Sequence, residues 1–187
     1  MGVEGDVRTA ARLHAEQISE GFLSSLGPRF LSRLYRRVVR WPHSFLLVAE
    51  EAGVVVGHAA ATEDVSQLYR QFLRHDGPVA GVVAAPRLLR RWRTALETLR
   101  YSSGHDNLPA AELLAVAVAS EFRGRGIGRA LVTAANDELA RRGVENARVV
   151  VAAHNRPALA LYRSSGFRPS TSIRVHASTV SEVLTWS

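Results

Sequence analysis

Cysteine is absent from the 187-residue chain, and so is lysine. Without thiols there is no disulfide, no thiolate nucleophile and no thiolate metal site. Without lysine there is no Walker A phosphate loop, no Schiff-base catalyst and no self-acetylation on a lysine side chain. No segment reaches the roughly 18 uninterrupted apolar residues that a spanning helix needs. Residues 1–10 carry Glu4 and Asp6 and lack an apolar h-region, so no secretory signal is expected and the expected location is the cytoplasm. The seven histidines (14, 43, 58, 75, 105, 154 and 176) are scattered, with no His-Glu-x-x-His pair, so no metal cofactor is expected.

Apolar residues make up 47% of the chain and charged residues 22%, which excludes a mainly disordered protein. The length suits one domain over 1–187. The formal charge is +7, and all 24 basic residues are arginine. A basic surface meets anions, although a GC-rich genome gives the same bias. No helix-turn-helix or RNA-stacking motif accompanies the charge, so nucleic acid is not an expected partner.

Two helices are expected first, over Thr9–Ser25 and from Pro28 to about Arg40, parted by Gly27-Pro28. Phe30, Leu31, Leu34, Tyr35 and Val38 form a helical stripe in the second. Gly2–Val7 is too short and glycine-interrupted for a convincing opening strand. Ser44–Glu50 and Gly53–Thr62 read as a hairpin turning at Glu51-Ala52-Gly53. Between 63 and 109 lies a helical insert, with helices expected at Val65–Arg74 and Arg87–Arg100 and breaks at Gly77-Pro78, Gly81 and Pro86. Then come a strand at Ala111–Ala119, expected to be buried on both faces, a helix to Arg142, and a strand at Ala147–Ala153. A short helix from Asn155 to Ser165 and an extended tail over Ser172–Trp186 follow. This order implies an α/β layer with a mixed central β-sheet flanked by helices.

The most informative stretch joins the strand AELLAVAVA (111–119) to the turn SEFRGRGIGRA (120–130). Glycines 124, 126 and 128 let backbone N–H groups approach a ligand. The first N–H groups of the following helix lack internal partners, which makes an anion site. Arg123, Arg125 and Arg129 crowd that helix start, where positive charge costs roughly 0.3–1 kcal/mol each unless an anion sits there. A dinucleotide G-x-G-x-x-G loop would need glycine at 129 or 131, which are Arg129 and Leu131. The placement of the three arginines argues for a pyrophosphate, with a Gly-rich strand-to-helix turn that binds no ligand as the alternative.

The sequence Arg123-x-x-Gly126-x-Gly128, after Leu114-Ala-Val-Ala-Val118, resembles the acetyl-coenzyme A signature of the GNAT (GCN5-related N-acetyltransferase) superfamily. Asn155-Arg-Pro-Ala158, followed by Leu161-Tyr162 and Gly166-Phe167, is similar to a second segment of that family. The resemblance is firm over 111–169, moderate over 9–62 and absent over 63–109. It implies the GNAT acyl-CoA N-acyltransferase fold, with a helical insert before the central strand. It also implies acetyl-CoA as co-substrate and acetyl transfer to a small-molecule or protein amine. Val116, Ala117 and Val118 would then meet the pantetheine arm, and Arg123, Gly124, Arg125, Gly126, Ile127, Gly128 and Arg129 the pyrophosphate. Asn155, Ala158 and Tyr162 complete the expected coenzyme site.

Acetyl transfer from a thioester needs a neutral amine, a polarised carbonyl and an acid for the departing thiolate. The resemblance makes Tyr162 that acid. Glu112 opens an apolar strand and is the favoured base, because burial raises a carboxyl pKa; it also resembles the strand glutamate of histone-acetylating family members. Glu63, Asp64 and His58 are rival bases. A catalytically silent acetyl-CoA sensor or partner-binding module is the alternative, and keeping Tyr162 favours an enzyme. The insert, with Phe22–Tyr35, is expected to form the acceptor side of the cleft as a hinged lid; a homodimer contact is its rival role.

Overall fold

The computed structural model describes residues 4–18, 26–90, 108–176 and 179–187. Helix α1 spans Glu4–Gln17 and α2 spans Pro28–Arg40. The hairpin follows as β1 (Ser44–Glu51) and β2 (Val54–Thr62), then α3 (Val65–Arg90) and β3 (Ala111–Val118). A short turn of 3-10 helix, Ser120–Phe122, leads to α4 (Ile127–Arg141), β4 (Ala147–Ala152) and α5 (Arg156–Ser164). β5 (Arg168–His176) and β6 (Thr179–Trp186) close the chain.

Six strands form one mixed sheet in the order β1-β2-β3-β4-β6-β5. Among the described residues only the β3–β4 pair is parallel, as expected where α4 supplies the crossover. The β1–β2 hairpin turns through Ala52 at φ 50° and Gly53 at φ 77°. Two successive positive φ values match the twist of the flanking strands. The extended tail is a hairpin, and its second arm, β6, lies between β4 and β5.

Helices cover both faces. On one, Leu131, Val132, Ala135 and Leu139 of α4 and Leu159 of α5 pack on Leu113, Val149, Val151 and Leu184. On the other, Val7, Ala10 and Ala11 of α1 and Leu31, Tyr35 and Val38 of α2 pack on Leu46, Ala60 and Leu68.

Three sequence expectations are corrected. The opening helix spans Glu4–Gln17, so residues 4–7 are helical and the sheet begins at Ser44, while residues 19–25 of the expected helix lie outside the described residues. Val7 is buried in the second core cluster, and this apolar anchor draws the segment into the helix.

α3 runs unbroken through Gly77-Pro78, Gly81 and Pro86, where breaks were expected. Its first turns are fixed by Leu68 and by Phe72, whose ring stands edge-on to Phe30 at 5.3 Å. Once a helix is nucleated each further residue adds a bond, and one proline removes only one. The start of the insert is therefore core, not a detachable lid. Arg91 to Asn107, with Trp92, Leu96 and Leu99 of the expected amphipathic helix, lies outside the described residues, as does Phe22.

β3 is not buried on both faces. Ala111, Leu113, Ala115 and Ala117 are buried, while Glu112, Leu114, Val116 and Val118 are half-buried. The reason lies in the neighbouring cleft.

Candidate active site

Strand β3 is interrupted by a bulge. Ala60 pairs with Ala115 and Ala61 with Leu113, so Leu114 is the extra residue. Its effect on facing is direct. Before the bulge Leu113 belongs to the core under α4; after it, Val116 and Val118 pack on that same core. Ala117 and Ala119 turn instead to Leu13 of α1.

The second irregularity is on the other edge of β3. Its ladder with β4 has two rungs, Ala111↔Ala147 and Glu112↔Arg148. Beyond them the two strands part, and the backbone of Val116–Val118 faces a cleft. That cleft has a volume of about 480 Å³, well inside the size range of small-ligand sites.

Its walls gather most of the expected coenzyme residues. Val116, Ala117 and Val118 line one side; Arg123, Gly124, Gly126, Ile127, Gly128 and Arg129 line the floor; Asn155 and Ala158 line the side of α5. Gln17 and Ile18, at the end of α1, close the rim, and the motif reading had not included them. Nothing local marked them; only the packing of α1 on β3 brings them there.

The turn at the floor depends on glycine. Gly124 (φ 75°) and Gly126 (φ 80°) occupy the left-handed region that side chains disfavour. Gly126 is the N-cap of α4 and supplies no side-chain cap. The first N–H groups of α4 therefore remain available to a ligand in the cleft. Opposite, the Asn155 side chain accepts a bond from Ala158 N–H at 3.2 Å and caps α5 as its sequence suggested.

The three arginines are less crowded than their spacing implies, because each has a protein partner. Arg123 donates to Gln17 Oε1 at 2.7 Å and to the Val118 carbonyl at 3.3 Å. Arg125 is not part of the cleft lining; it pairs with Glu51 at 3.3 Å and stands over the Phe122 ring. Arg129 donates to the Ser164 carbonyl at the end of α5 at 3.0 Å. Arg123 and Arg129 still line the floor.

The two expected catalytic groups do not line the cleft. Tyr162 sits one helical turn beyond Ala158, buried in the α4–α5 core with its ring edge-on to Phe167 at 5.6 Å. Burial pushes its hydroxyl pKa upward. Glu112 lies at the last β3–β4 rung, held by Arg148 Nε at 2.8 Å. Burial raises its carboxyl pKa against the opposing pull of Arg148. Among the rivals, Glu63 bonds His43 and Arg142, Asp64 accepts from the Gln67 N–H, and His58 is fully buried.

A bulged strand, a splayed parallel neighbour and a Gly-Arg turn into a helix converge with comparisons to known proteins. A model of the acetyltransferase (GNAT) family matches residues 15–167. The [ribosomal protein bS18]-alanine N-acetyltransferase of Escherichia coli K12 is 42% identical over 64 residues, 34% of this chain and 43% of that protein. The mycothiol acetyltransferase of Clavibacter michiganensis is 45% identical over 58 residues, 31% of this chain and 19% of that protein. These matches span less than half the length of either relative. The crystal structure of the Escherichia coli ribosomal-protein-S18-alanine N-acetyltransferase superposes with a TM-score of 0.61 at 16% identity, covering 97% of this chain and 87% of that one. At that identity the likeness speaks for the fold. With the family match extending over most of the chain and the splayed strands supplying its cleft, the chain belongs to the GNAT acetyltransferase family.

Proposed function

We propose that the protein transfers the acetyl group of acetyl-CoA to an amine by direct attack within a ternary complex. The carrying observation is the parting of β3 from β4 beyond the Glu112↔Arg148 rung, directly above the start of α4. Exposed strand backbone suits an amide-bearing pantetheine arm, because its N–H and C=O groups can pair as an added strand would. The unpaired N–H groups of α4 suit a pyrophosphate. Asn155 and Ala158 face the same space from α5.

The neutral amine attacks the thioester carbonyl, whose developing oxyanion is met by strand amides after Leu114. Tyr162 is assigned as acid to the coenzyme thiolate. Its buried hydroxyl keeps its proton at neutral pH, as an acid must, and it follows Ala158 by one turn. Glu112 is assigned as base, supported by the burial that raises its pKa. The acceptor is a small-molecule or protein amine; the bS18-alanine and mycothiol enzymes among its relatives make those two classes the first to test.

The test is thiol release from acetyl-CoA across panels of small amines and peptides with free N-termini. Tyr162→Phe keeps the ring, so acetyl-CoA should raise its Tm as in the unaltered protein while turnover falls roughly 10- to 1000-fold. Normal turnover by that variant would leave Tyr162 a packing residue. Thiol release with no amine at all would replace transfer by hydrolysis.

A further inference from the structure

A small cavity lies against the bulge of β3, on the face that α1 and α2 cover. Its volume is about 20 Å³. Leu34, Val38 and Leu68 wall it from the helices, and Ala60, Leu114 and Ala115 wall it from the strands. Tyr69 and Leu114 are half-buried and the rest of the wall is buried, so those two mark its mouth. The cavity adjoins the coenzyme cleft: Ala115 belongs to its wall, and Val116, the next residue, belongs to the cleft.

His14 and Tyr35 complete the wall, and their facing polar atoms are already engaged. His14 Nδ1 and the Tyr35 hydroxyl are 2.8 Å apart, and the same hydroxyl is 2.8 Å from His58 Nε2. The hydroxyl thus has a partner on each side, and the aliphatic wall residues offer a water none. A buried water needs two to four polar partners, whereas an apolar cavity stays dry and takes an apolar group. The volume suits about one carbon-sized group.

Charge points the same way. The wall contains no carboxylate and no arginine. Burial holds the His14 pKa to about 4 and pushes the Tyr35 hydroxyl up, so neither is charged at neutral pH. The acids of the flanking elements are committed elsewhere, Glu112 of β3 to Arg148 and Asp76 of α3 to Arg37. A cation entering the cavity would lose its hydration and meet no counter-charge.

We propose that this cavity is the acceptor's selectivity pocket and takes an uncharged, methyl-sized group on the carbon that bears the amine. The acceptor is then an alanine-like amine, free or at the start of a peptide, and not a polyamine. This names the substrate class of the acetyl transfer proposed above and rests on that reading. The thioester oxygen was assigned to strand amides after Leu114, and Leu114 is also at the mouth of the cavity. An amine attacking that thioester brings the substituent of its own carbon to the mouth. A methyl group fills the space. A hydrogen leaves a void whose lining lacks contacts on one side. A longer side chain meets Leu68 and Ala60, which are 0% and 1% exposed, and must force them apart.

The test is kcat/KM by thiol release from acetyl-CoA. The acceptors are peptides beginning with Ala, Gly, Leu or Lys, together with alaninamide, glycinamide and spermidine. Each Ala acceptor should exceed its Gly counterpart about 10-fold, and should exceed the Leu and Lys peptides and spermidine by at least about as much. Whichever of Ala peptide and alaninamide is better names the source of the amine. Two variants change the pocket in opposite senses. Leu34→Ala enlarges it and should move the preference toward Leu; Ala60→Val fills it and should raise Gly above Ala. Both should keep the acetyl-CoA-induced Tm shift. A packing defect alone would lower every acceptor by one factor and preserve their order, and that result in a folded variant would overturn the pocket. If one variant does not fold, the other decides. A preference of the unaltered protein for spermidine, Lys or Leu would overturn the pocket and leave acetyl transfer standing. Acetylation of no amine at all would remove the transfer reading, and the pocket with it.

Discussion

Two buried neutral histidines make the fold sensitive to acid, and the size of the effect follows from their surroundings. In the unfolded chain each has a pKa near 6.5. In the fold burial holds His14 to about 4 and, together with the His14 charge, His58 to about 3. Between those values the unfolded state binds more protons than the folded one. Stability is therefore present above pH 6.5 and is lost as pH falls toward the folded values. At pH 5 the difference is nearly two protons, which gives a slope of about 2.5 kcal/mol per pH unit and a loss of about 3–4 kcal/mol from pH 7. That is a large share of the ~5–15 kcal/mol that holds a typical domain.

Glu112 acts in the opposite sense, because its raised pKa favours the fold as it protonates. Glu138, held to about 2 mainly by its bond to Arg141, titrates below this window. Urea unfolding at pH 7, 6 and 5 would measure the slope, and His58→Gln should remove about half of it. A midpoint unchanged between pH 7 and 5 would refute the reasoning.

Gly126→Ala forces a Cβ into the left-handed region at φ 80° and should cost about 1–2 kcal/mol; it should also weaken the acetyl-CoA-induced Tm shift, read by thermal melts. Leu68→Ala, on the first turn of α3, should cost about 2–5 kcal/mol in urea unfolding, whereas a detachable lid would lose almost nothing. Arg148→Ala strands the half-buried Glu112 carboxylate and should cost about 3–5 kcal/mol at pH 7. Arg148→Ala with Glu112→Gln should recover much of that loss, as a double-mutant cycle would show.

The sequence by itself determined the elements whose signals are local. The Ala52-Gly53 turn needs positive φ, Asn155 caps from three residues away, and Gly124 and Gly126 mark a turn that side chains disfavour. The coenzyme loop was legible for the same reason, since its glycines and the helix behind it are contiguous in the chain. Tertiary structure alone decided what depends on meetings between distant segments. The Leu114 bulge arises from pairing with β2, and the cleft from two strands that share only two rungs. Gln17 and Ile18 reach the cleft because α1 packs on β3. Local breakers did not end α3, because Leu68 and Phe72 had already anchored it. His14, Tyr35 and His58 lie 21 and 23 residues apart along the chain. No periodicity links them; burial of three faces against one another does.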